Sequence, residues 1–269
     1  MSEPTAQIER AADLLARSPY TVALTGAGVS VPSGIPDFRS PVSGLWARTD
    51  PMAVASLPAF LAAPQRFYAW IRPLAERTAA AKPNAAHEAL TRLQSLGRLG
   101  PIITQNIDGL HEAAGSRDVL PVHGHTRTGT CTLCSAKIPG EVLWETALGG
   151  DVPHCDCGGV VKPDVVLFGE LLPLDVLNTA QQAACRASLM LVAGSSLEVS
   201  PAAELPLMTY ECGGKVLIIN LGPTRLDEIA ALKLEADVAA VLPALAAGVA
   251  ARVAQPDAAG DEANGGTLR

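Results

Sequence analysis

The most specific chemical signal in this 269-residue sequence is two close pairs of cysteines: Cys131 with Cys134, and Cys155 with Cys157. Tetrahedral Zn²⁺ takes four thiolates, and two short loops that each present two sulfurs can close its coordination shell. Gly158 and Gly159 follow the second pair and can supply the tight turn that this pair needs. We predict a structural zinc held by the four cysteines. His154 is an alternative ligand, and a redox-active or empty arrangement is the alternative reading of the pairs.

The two remaining cysteines, Cys185 and Cys212, have no close neighbour in the sequence, and we predict that both are small buried apolar side chains. The N-terminal residues lack the charged-then-apolar pattern of a signal peptide. No apolar run approaches the ~18 residues of a membrane span. Cysteine pairs in a chain without an export signal indicate metal binding rather than disulfides. These features predict a cytoplasmic protein that does not enter a membrane.

A glycine-rich segment, residues 26–39 (GAGVSVPSGIPDFR, the first loop), follows the apolar run Tyr20–Thr25. Gly26 and Gly28 let the backbone approach a pyrophosphate, whose charge the amides of a strand-to-helix turn can hold. The dehydrogenase fingerprint requires a third glycine where this sequence has Val31, and an acidic residue about twenty positions later that is missing here. The first loop is also too irregular to continue as a helix. We therefore expect it to fold over a ligand, in a site unlike that of a dehydrogenase.

Polar or glycine residues follow further strand-like segments: Gln105, Asn106 and Asp108 after one, His123 and Gly124 after the next, then Gly194, Ser195 and Ser196, and finally Asn220. Each cluster has a plain structural explanation on its own, because Asn or Asp caps helices and an isolated histidine is usually exposed or part of a core. In doubly wound sheets, however, ligands bind just beyond the carboxyl ends of the strands. We therefore expect these clusters to converge on one crevice.

The elements that must position these residues alternate between strand-like and helical segments, the pattern of an α/β protein with a doubly wound parallel sheet. The predicted strands are Tyr20–Thr25, Pro101–Thr104, Val119–Val122, Ser188–Ala193, Val216–Asn220 and Asp237–Val241. Two insertions, the helical residues 41–83 and the cysteine-bearing residues 127–162, are predicted to form a second, smaller domain. The large domain then comprises residues 1–40, 84–126 and 163–245, and residues 246–269 form a flexible tail.

Composition and charge limit the partners. The formal net charge of −7 argues against nucleic acid, because phosphate binding needs clustered Lys and Arg. It suits a basic partner, such as a lysine-bearing protein segment. Hydrophobic residues at 48% and charged residues at 17% are typical of a globular protein with a well-buried core. No internal repeat is visible, and we expect a monomer.

Several motifs occur in one order along the chain, from about residue 10 to 245: the first loop, TQNIDGLH (104–111), the VHG that contains His123, the cysteine pairs, KPDVVLFGE (162–170), GSSLEVSPAAELP (194–206) and VLIINLG (216–222). Together they resemble the sirtuins of bacterial type, a family of NAD-dependent protein lysine deacylases. The resemblance implies a Rossmann-like large domain and a small domain made of a zinc module and a helical insertion. It also implies NAD as co-substrate, one structural zinc, and acyl-lysine-bearing proteins as partners.

By this resemblance, NAD would contact residues of four segments: Gly26, Ala27, Gly28, Ser30, Asp37, Phe38 and Arg39; Gln105, Asn106, Ile107 and Asp108; Gly194, Ser195 and Ser196; and Asn220, Leu221 and Gly222. Phe38 would shield the nicotinamide end, and Asn106 to Asp108 would line its pocket. Ser195 and Asn220 would reach the adenosine side. Ala236, expected just before the last strand, would add a backbone contact to adenine.

The resemblance also implies the reaction and its catalytic residues, His123 and Asn106. His123 would act as a general base on a ribose hydroxyl, for which an ordinary imidazole pKa of ~6.5 is suitable. The products would be deacylated lysine, nicotinamide and O-acyl-ADP-ribose. His125 would point to the opposite side of an extended segment and receives no role.

Substrate binding is implied for Val166, Phe168, Gly169 and Glu170. Val166 and Phe168 would form walls of an acyl-lysine tunnel. The whole stretch from Val165 to Glu170 would pair through its backbone with an extended peptide, a mode that reads backbone rather than side chains.

The acyl group is expected to be neutral, chiefly acetyl. Sirtuins that prefer succinyl or malonyl groups carry a Tyr and an Arg three residues apart in the first insertion, and the Arg pairs with the substrate carboxylate. Here Tyr68 is followed three positions later by Ile71, and Arg72 comes one position further. The alternatives are a desuccinylase or demalonylase, a protein mono-ADP-ribosyltransferase using the same NAD site, and a non-catalytic module that binds NAD or an acyl-peptide.

Overall fold

A computed structural model describes residues 3–38, 44–45 and 49–254 of the chain. The strands are β1 Thr21–Thr25, β2 Ile102–Thr104, β3 Val119–Pro121, β4 Gly124–Cys131, β5 Lys137–Pro139, β6 Val161–Val165, β7 Leu189–Ala193, β8 Lys215–Asn220 and β9 Ala230–Glu235. The helices are α1 Glu3–Arg17, α2 Pro51–Val54, α3 Leu57–Ala62, α4 Pro64–Ala80, α5 Ala85–Ser95, α6 Leu110–Ala113, α7 Gly140–Gly149, α8 Leu174–Arg186, α9 Leu205–Glu211 and α10 Val238–Ala254. The first loop contains the 3₁₀ turns Ala27–Val29 and Val31–Ser33.

Six strands of the described chain form one parallel sheet in the order β3-β2-β1-β7-β8-β9. Strands β1 and β7 at its centre are buried throughout, as expected where helices cover both faces. Successive side chains point to opposite faces, and so divide between two cores. Ala23 packs with α1, α5 and α10, whereas Val22 and Leu24 pack with α8 and α9. The predicted doubly wound α/β sheet is confirmed.

The last strand of the sheet is β9, and the predicted strand Asp237–Val241 is wrong. Asp237 instead caps α10, because its Oδ1 accepts a hydrogen bond from the backbone N–H of Ala239 at 2.8 Å. The residues that follow are rich in alanine, which has the highest helix propensity. Ala236 therefore lies just after the last strand of the sheet, not before it.

Helix α10 also corrects the predicted flexible tail. It continues to Ala254, and Val249 is fully buried in the core, so residues 246–254 belong to the folded domain. The rest of that tail, residues 255–269, lies outside the described residues. Neither α10 nor any other described helix has the length and apolar character needed to span a bilayer.

The two insertions share one hydrophobic core beside a small antiparallel sheet, β5-β4-β6. Phe60, Phe67 and Tyr68 from the first insertion make edge-on ring contacts with centroids 5.2 to 6.1 Å apart. The Tyr68 hydroxyl donates a hydrogen bond to the carbonyl oxygen of Val161. Strand β4 begins at Gly124 and β6 ends at Val165, so both strands run from the small sheet into the large domain.

Cys185 and Cys212 form a disulfide and are both exposed, so the prediction that they are small buried apolar side chains is wrong. Cys185 lies in the last turn of α8 and Cys212 follows α9, with 5.4 Å between their Cα atoms. The two helices pack against the same face of the sheet. Because this packing joins residues 27 positions apart, the sequence pattern gives no sign of the pairing.

Candidate active site

The carboxyl ends of the central strands meet at one cavity of about 660 Å³. It is lined by predicted site residues from every segment: Ala27, Gly28, Ser30, Asp37, Phe38, Gln105, Asn106, Ile107, Asp108, His123, Val166, Phe168, Gly169, Glu170, Gly194, Ser195, Ser196, Asn220, Leu221, Gly222 and Ala236. Gly26 is not among the lining residues, and Arg39 lies outside the described residues. The strand-end clusters of the sequence therefore face a common space.

Gly26 and Gly28 are crowded by the loop that follows β7. A Cβ on Gly26 would lie 2.7 Å from the carbonyl oxygen of Gly194, and a Cβ on Gly28 would lie 2.8 Å from the Gly194 Cα. Gly194 has a φ of +63°, and a Cβ there would lie 2.6 Å from the backbone nitrogen of Val29. The requirement for glycine thus comes first from the packing of two cavity-lining loops against each other.

Asn106 and Asp108 tie the loop after β2 to the first loop. Asn106 Nδ2 donates hydrogen bonds to the carbonyl oxygen of Gly26 and to Ser30 Oγ, each at 3.1 Å. Ser30 Oγ donates to Asp108 Oδ2 at 2.7 Å. Asp108 Oδ1 also accepts from the backbone N–H of Leu110 at the start of α6 at 2.9 Å. Asp108 therefore binds the first backbone N–H of α6 and also links the two loops.

His123 is fixed between the loop after β2 and the strand that leads out of the small sheet. Its Nδ1 lies 3.0 Å from the carbonyl oxygen of Gln105. A carbonyl oxygen can only accept, so Nδ1 carries the proton and Nε2 is the basic nitrogen of the neutral ring. The His123 carbonyl accepts from the backbone N–H of Val166 at 2.8 Å. His125 lines a separate, much smaller cavity.

Two histidines behind the cavity, His87 and His111, were not identified from the sequence. Both are buried, and their ring centroids are 4.9 Å apart. His111 Nε2 lies 2.9 Å from Thr25 Oγ1, which donates to Thr104 Oγ1 at 2.9 Å. Thr104 Oγ1 in turn accepts from the Asn106 backbone N–H at 3.1 Å. Burial lowers the pKa of both rings, and that of His111 to about 3, so both stay neutral and support the loop that carries Asn106.

The stretch from Val165 to Glu170 is largely paired within the protein. The Phe168 N–H donates to the carbonyl oxygen of Ala55 at 2.9 Å, and the Phe168 carbonyl accepts from the Leu57 N–H at 3.0 Å. The expectation that the whole stretch pairs with a peptide needs correction, because strand addition requires groups that are not already bonded. Val166 and Phe168 do line the cavity, and that they form walls of an acyl-lysine tunnel stays a prediction.

The carboxylate of Glu170 is engaged inside the protein. Glu170 Oε2 accepts from the Leu167 N–H at 2.8 Å and from Lys162 Nζ at 3.0 Å. Lys162 Nζ also donates to the carbonyl oxygens of Pro163 and Val165, at 3.0 and 2.9 Å. The Lys162 and Glu170 side chains are only 15% and 20% exposed. This pair, the Lys162–Glu170 staple, fixes the bend between β6 and the predicted substrate stretch.

The four cysteine sulfurs lie within 4.8 Å of one another. The sulfur–sulfur distances are 3.4 Å for Cys131 and Cys157, and 3.7 Å for Cys134 and Cys155. Tetrahedral zinc with bonds of ~2.3 Å requires sulfurs about 3.8 Å apart, so the cluster fits this metal. A Cβ on Gly159 would lie 2.5 Å from the Cys131 sulfur, which explains the glycine there. His154 is not part of the cluster.

The parallel sheet, the loops at its carboxyl edge and the separate cysteine module define the class: an α/β protein with a ligand cavity at the strand ends and a structural metal site. A model of the Sir2 family matches residues 26–201. The chain belongs to the Sir2 family, which confirms the resemblance to sirtuins.

Relatives and solved structures agree with this assignment. An NAD-dependent protein deacetylase of Thermotoga maritima is 46% identical over 227 residues, which cover 84% of this chain and 92% of the relative. A Sir2 structure with a deacetylated p53 peptide and 3′-O-acetyl ADP-ribose has a TM-score of 0.85 and 43% identity, and covers 89% of this chain and 97% of that one. A Sir2 structure with a p53 peptide and NAD⁺ has a TM-score of 0.79 and 45% identity, over 86% and 93%.

Proposed function

We propose that this protein is an NAD-dependent protein lysine deacetylase that yields deacetylated lysine, nicotinamide and O-acetyl-ADP-ribose. The observation that carries the proposal is the single cavity shared by His123, the Asn106 loop, and Ser195 with Asn220. Membership of the Sir2 family supports the same activity, as do the deacetylase relatives and the Sir2 structure with acetyl ADP-ribose.

NAD would extend across the cavity from Asn220 and Ser195 to the Asn106 loop. A buried donor supports this arrangement: Gln105 Nε2 is shielded from solvent and has no hydrogen-bond partner among the described residues, although Gln105 lines the cavity. A ribose oxygen would satisfy that group, since buried donors are rarely left unpaired. Ser195 Oγ, which donates to Gln105 Oε1 at 3.3 Å, would hold the Gln105 amide in this orientation.

His123 is the proton acceptor in this proposal. Nε2 accepts a proton from a ribose hydroxyl, while the Gln105 carbonyl keeps the proton on Nδ1 and stabilises the positive charge that forms. Asn106 and Asp108 hold the first loop over the reacting end through Gly26 and Ser30. Held in this way, the loop would keep water from the ribose carbon at which the nicotinamide bond breaks.

The metal takes no part in this chemistry. Four thiolates complete a tetrahedral shell, and a closed shell leaves no position for a substrate. We assign the four cysteines to one structural Zn²⁺, which is supported by the sulfur spacing and by the position of the cluster on strands that lead to the cavity.

The acyl group is neutral in this proposal, because the α4 residues that line the cavity are uncharged and mostly apolar: Phe67, Trp70, Ile71, Leu74 and Thr78. The Tyr68 hydroxyl is bonded to Val161, and Arg72 Nε donates to the carbonyl oxygen of Ala147 at 2.9 Å. Neither Tyr68 nor Arg72 is among the residues that line the cavity. Among the described residues that line the cavity there is no Lys or Arg, so they offer a substrate carboxylate no paired cation of the kind that it needs on burial.

The test is a product assay with NAD and matched peptides that carry acetyl-, propionyl- or succinyl-lysine, read by mass spectrometry. We expect nicotinamide and O-acetyl-ADP-ribose in equal amounts, and succinyl turnover at least roughly tenfold slower. A peptide or protein that gains ADP-ribose would support the mono-ADP-ribosyltransferase. Binding of NAD without any product would indicate a non-catalytic module.

His123→Ala tests the proton role in the same assay. Loss of a general base slows turnover by roughly 10²–10⁴-fold, while melting temperature and NAD binding stay near those of the unsubstituted protein. His154→Ala is the matched control, because His154 is exposed and lies outside the cavity. Ordinary turnover by His123→Ala would remove His123 from the mechanism.

A further inference from the structure

Asn84 stands where α5 meets the back of the first loop. Its Oδ1 accepts a hydrogen bond from the Ala86 N–H at 2.9 Å and thereby caps the helix. Its Nδ2 donates to the carbonyl oxygen of Val29 at 2.9 Å and to Ser33 Oγ at 2.8 Å. One side chain therefore serves two structures, with its oxygen on the helix and its nitrogen on the first loop.

The contacts of Asn84 lie on the side of the first loop that is turned away from the cavity. Ser30 lines the cavity and donates to Asp108. Val29 and Ser33, which precede and follow Ser30, are not among the lining residues. The Val29 side chain is fully buried in the same core as Ala86 of α5. The amide of Asn84 thus holds the loop from behind at two points that flank a cavity-lining residue.

The backbone of Asn84 joins the support of the other cavity loop. Its N–H donates to His87 Nδ1 at 3.3 Å. The His87 ring packs against His111, which bonds to Thr25 and so reaches the hydroxyl that holds the Asn106 backbone. The start of α5 therefore anchors both loops between which the nicotinamide end of NAD would lie.

We propose that Asn84 is a positioning residue for NAD: its side-chain amide clamps residues 29–33 of the first loop in the shape that receives the cofactor. The part of this inference that concerns NAD rests on the proposed function; the clamp itself does not. A loop that spends only a fraction of its time in the receiving shape binds its ligand more weakly by that fraction. Release of the clamp should therefore weaken NAD binding without touching the chemistry.

The clamp can be separated from the helix cap by substitution. Asn84→Ser and Asn84→Asp both keep a side-chain oxygen that caps helices as well as asparagine does, but neither keeps the amide donors. Asn84→Asp also brings a carboxylate towards the Val29 carbonyl, whereas Asn84→Ser adds no charge. Asn84→Ala removes the cap and the clamp together. Ser95→Ala is the matched control, because Ser95 is exposed, lies in the same helix and donates its hydroxyl to the Thr91 carbonyl of that helix.

Amide hydrogen exchange of the ligand-free protein measures directly how well the clamp holds the first loop. In Asn84→Ser, peptides that cover residues 26–38 should exchange roughly fivefold to thirtyfold faster, as expected for two lost hydrogen bonds. Peptides that cover α5 should be unchanged in Asn84→Ser and faster in Asn84→Ala. Calorimetry should show NAD binding weakened by a similar factor, with KM for the acetyl-peptide changed by less than about twofold. Ser95→Ala should behave as the unsubstituted protein throughout.

The possible outcomes test the clamp and the proposed function independently. If the unsubstituted protein forms no nicotinamide, the proposed function fails, and the exchange pattern still decides whether the clamp exists. Faster exchange over residues 26–38 in both Asn84→Ser and Asn84→Asp supports the clamp. Unchanged exchange over these residues in Asn84→Ser would overturn it. Faster exchange together with unchanged NAD affinity would overturn its role in cofactor binding.

Discussion

The histidines of this protein differ in burial: His123 is half-buried, whereas His87 and His111 are fully buried. We expect their roles to differ accordingly. His123 lines the cavity and its Nδ1 is bonded to a backbone carbonyl, which leaves Nε2 as the basic nitrogen of the neutral ring. His87 and His111 are enclosed by protein, and loss of solvent disfavours their charged forms. In the proposed function the first ring exchanges a proton with a ligand, whereas the two buried rings bond or pack behind the loops.

The buried pair predicts a loss of stability in mild acid. The pKa of each ring is lower in the folded than in the unfolded protein, to about 3 for His111, so the unfolded chain binds more protons as the pH falls below ~6.5. Their stabilising effect is complete above that pH and is lost progressively towards the folded pKa. Between pH 7.5 and 5.5, titration of His111 should lower the free energy of unfolding, measured by urea denaturation, by about 1.4 kcal/mol, and His87 should lower it further in the same direction.

His111→Asn isolates this effect. The variant should lose about 1.4 kcal/mol less than the unsubstituted protein over the same pH interval, because one of the two titrating groups is gone. His154→Asn is the control, because it replaces an exposed ring and leaves the buried pair intact. Acid effects elsewhere, including those at the cysteine cluster, are present in both variants and cancel in the comparison. Equal pH dependence in His111→Asn and the unsubstituted protein would contradict the assignment.

At the scale of elements, the sequence predicts the buried strands and misses partners that are distant in the chain. Strands β1, β2, β3, β7 and β8 lie within one residue of their predicted positions, since each is a short apolar run ended by polar or glycine residues. The segment Asp237–Val241 fails because a short Ala- and Val-rich run fits a buried helix equally well. Asn84 with Val29, and Cys185 with Cys212, meet only through tertiary packing, which no local pattern reveals.

The same division applies to the site. Residues at strand ends are predictable, because the topology of a parallel sheet brings those ends to one edge. The resemblance implies that Glu170 binds substrate, as the last residue of the stretch from Val165, yet its carboxylate accepts hydrogen bonds from the Leu167 N–H and from Lys162. The direction of a side chain depends on partners that fold next to it. Positioning residues such as Glu170 and His87 therefore need the structure for their identification.

The Lys162–Glu170 staple should hold the predicted substrate stretch, residues 165–170, in place. We expect Glu170→Gln to raise KM for an acetyl-peptide roughly threefold to tenfold, with KM for NAD unchanged, because the bend after β6 loses its ion pair. Urea unfolding of Glu170→Gln, Lys162→Met and the double variant should give a coupling free energy of about 1–2 kcal/mol for this mostly buried pair.

The exposed pair of Arg225 and Glu204 is the matched control for the staple. These side chains are 44% and 40% exposed and 3.5 Å apart, so their coupling should stay below about 0.5 kcal/mol. If the staple coupled no more strongly than this surface pair, or if its loss left the peptide KM unchanged, its positioning role would be wrong.

At the scale of the whole molecule, the disulfide and the cysteine cluster crosslink different domains. The disulfide joins α8 to the end of α9 beside the parallel sheet, and the cysteine cluster joins the ends of the small sheet. A closed loop of this length contributes about 3–4 kcal/mol when a disulfide forms. Cytoplasmic location stays a prediction, and a reducing cytoplasm would keep Cys185 and Cys212 as thiols.

The cysteine cluster is linked to the cavity through the strands of the small sheet. Strand β4 has Cys131 at one end and Gly124, the residue after His123, at the other. Strand β6 runs from Val161 to Val165, where the predicted substrate stretch begins. The two strands pair with each other at both ends, Cys131 with Val161 and Gly124 with Val165. A metal that orders one end of this ladder therefore steadies the residues at the other end.

Cys134→Ala should accordingly lose both its metal and its catalytic activity, although zinc touches no substrate. We expect the zinc content, measured by inductively coupled plasma mass spectrometry, to fall from one per chain towards zero. The melting temperature should drop by roughly 10 °C or more, because metal-binding energy is folding energy in such modules. Hydrogen exchange should become faster over β4 to β6 and over the predicted substrate stretch, but not over β7 and β8. Cys185→Ser, which removes the disulfide, should lower stability and keep the zinc. A Cys134→Ala variant that kept its melting temperature would show that the small sheet is ordered without the metal.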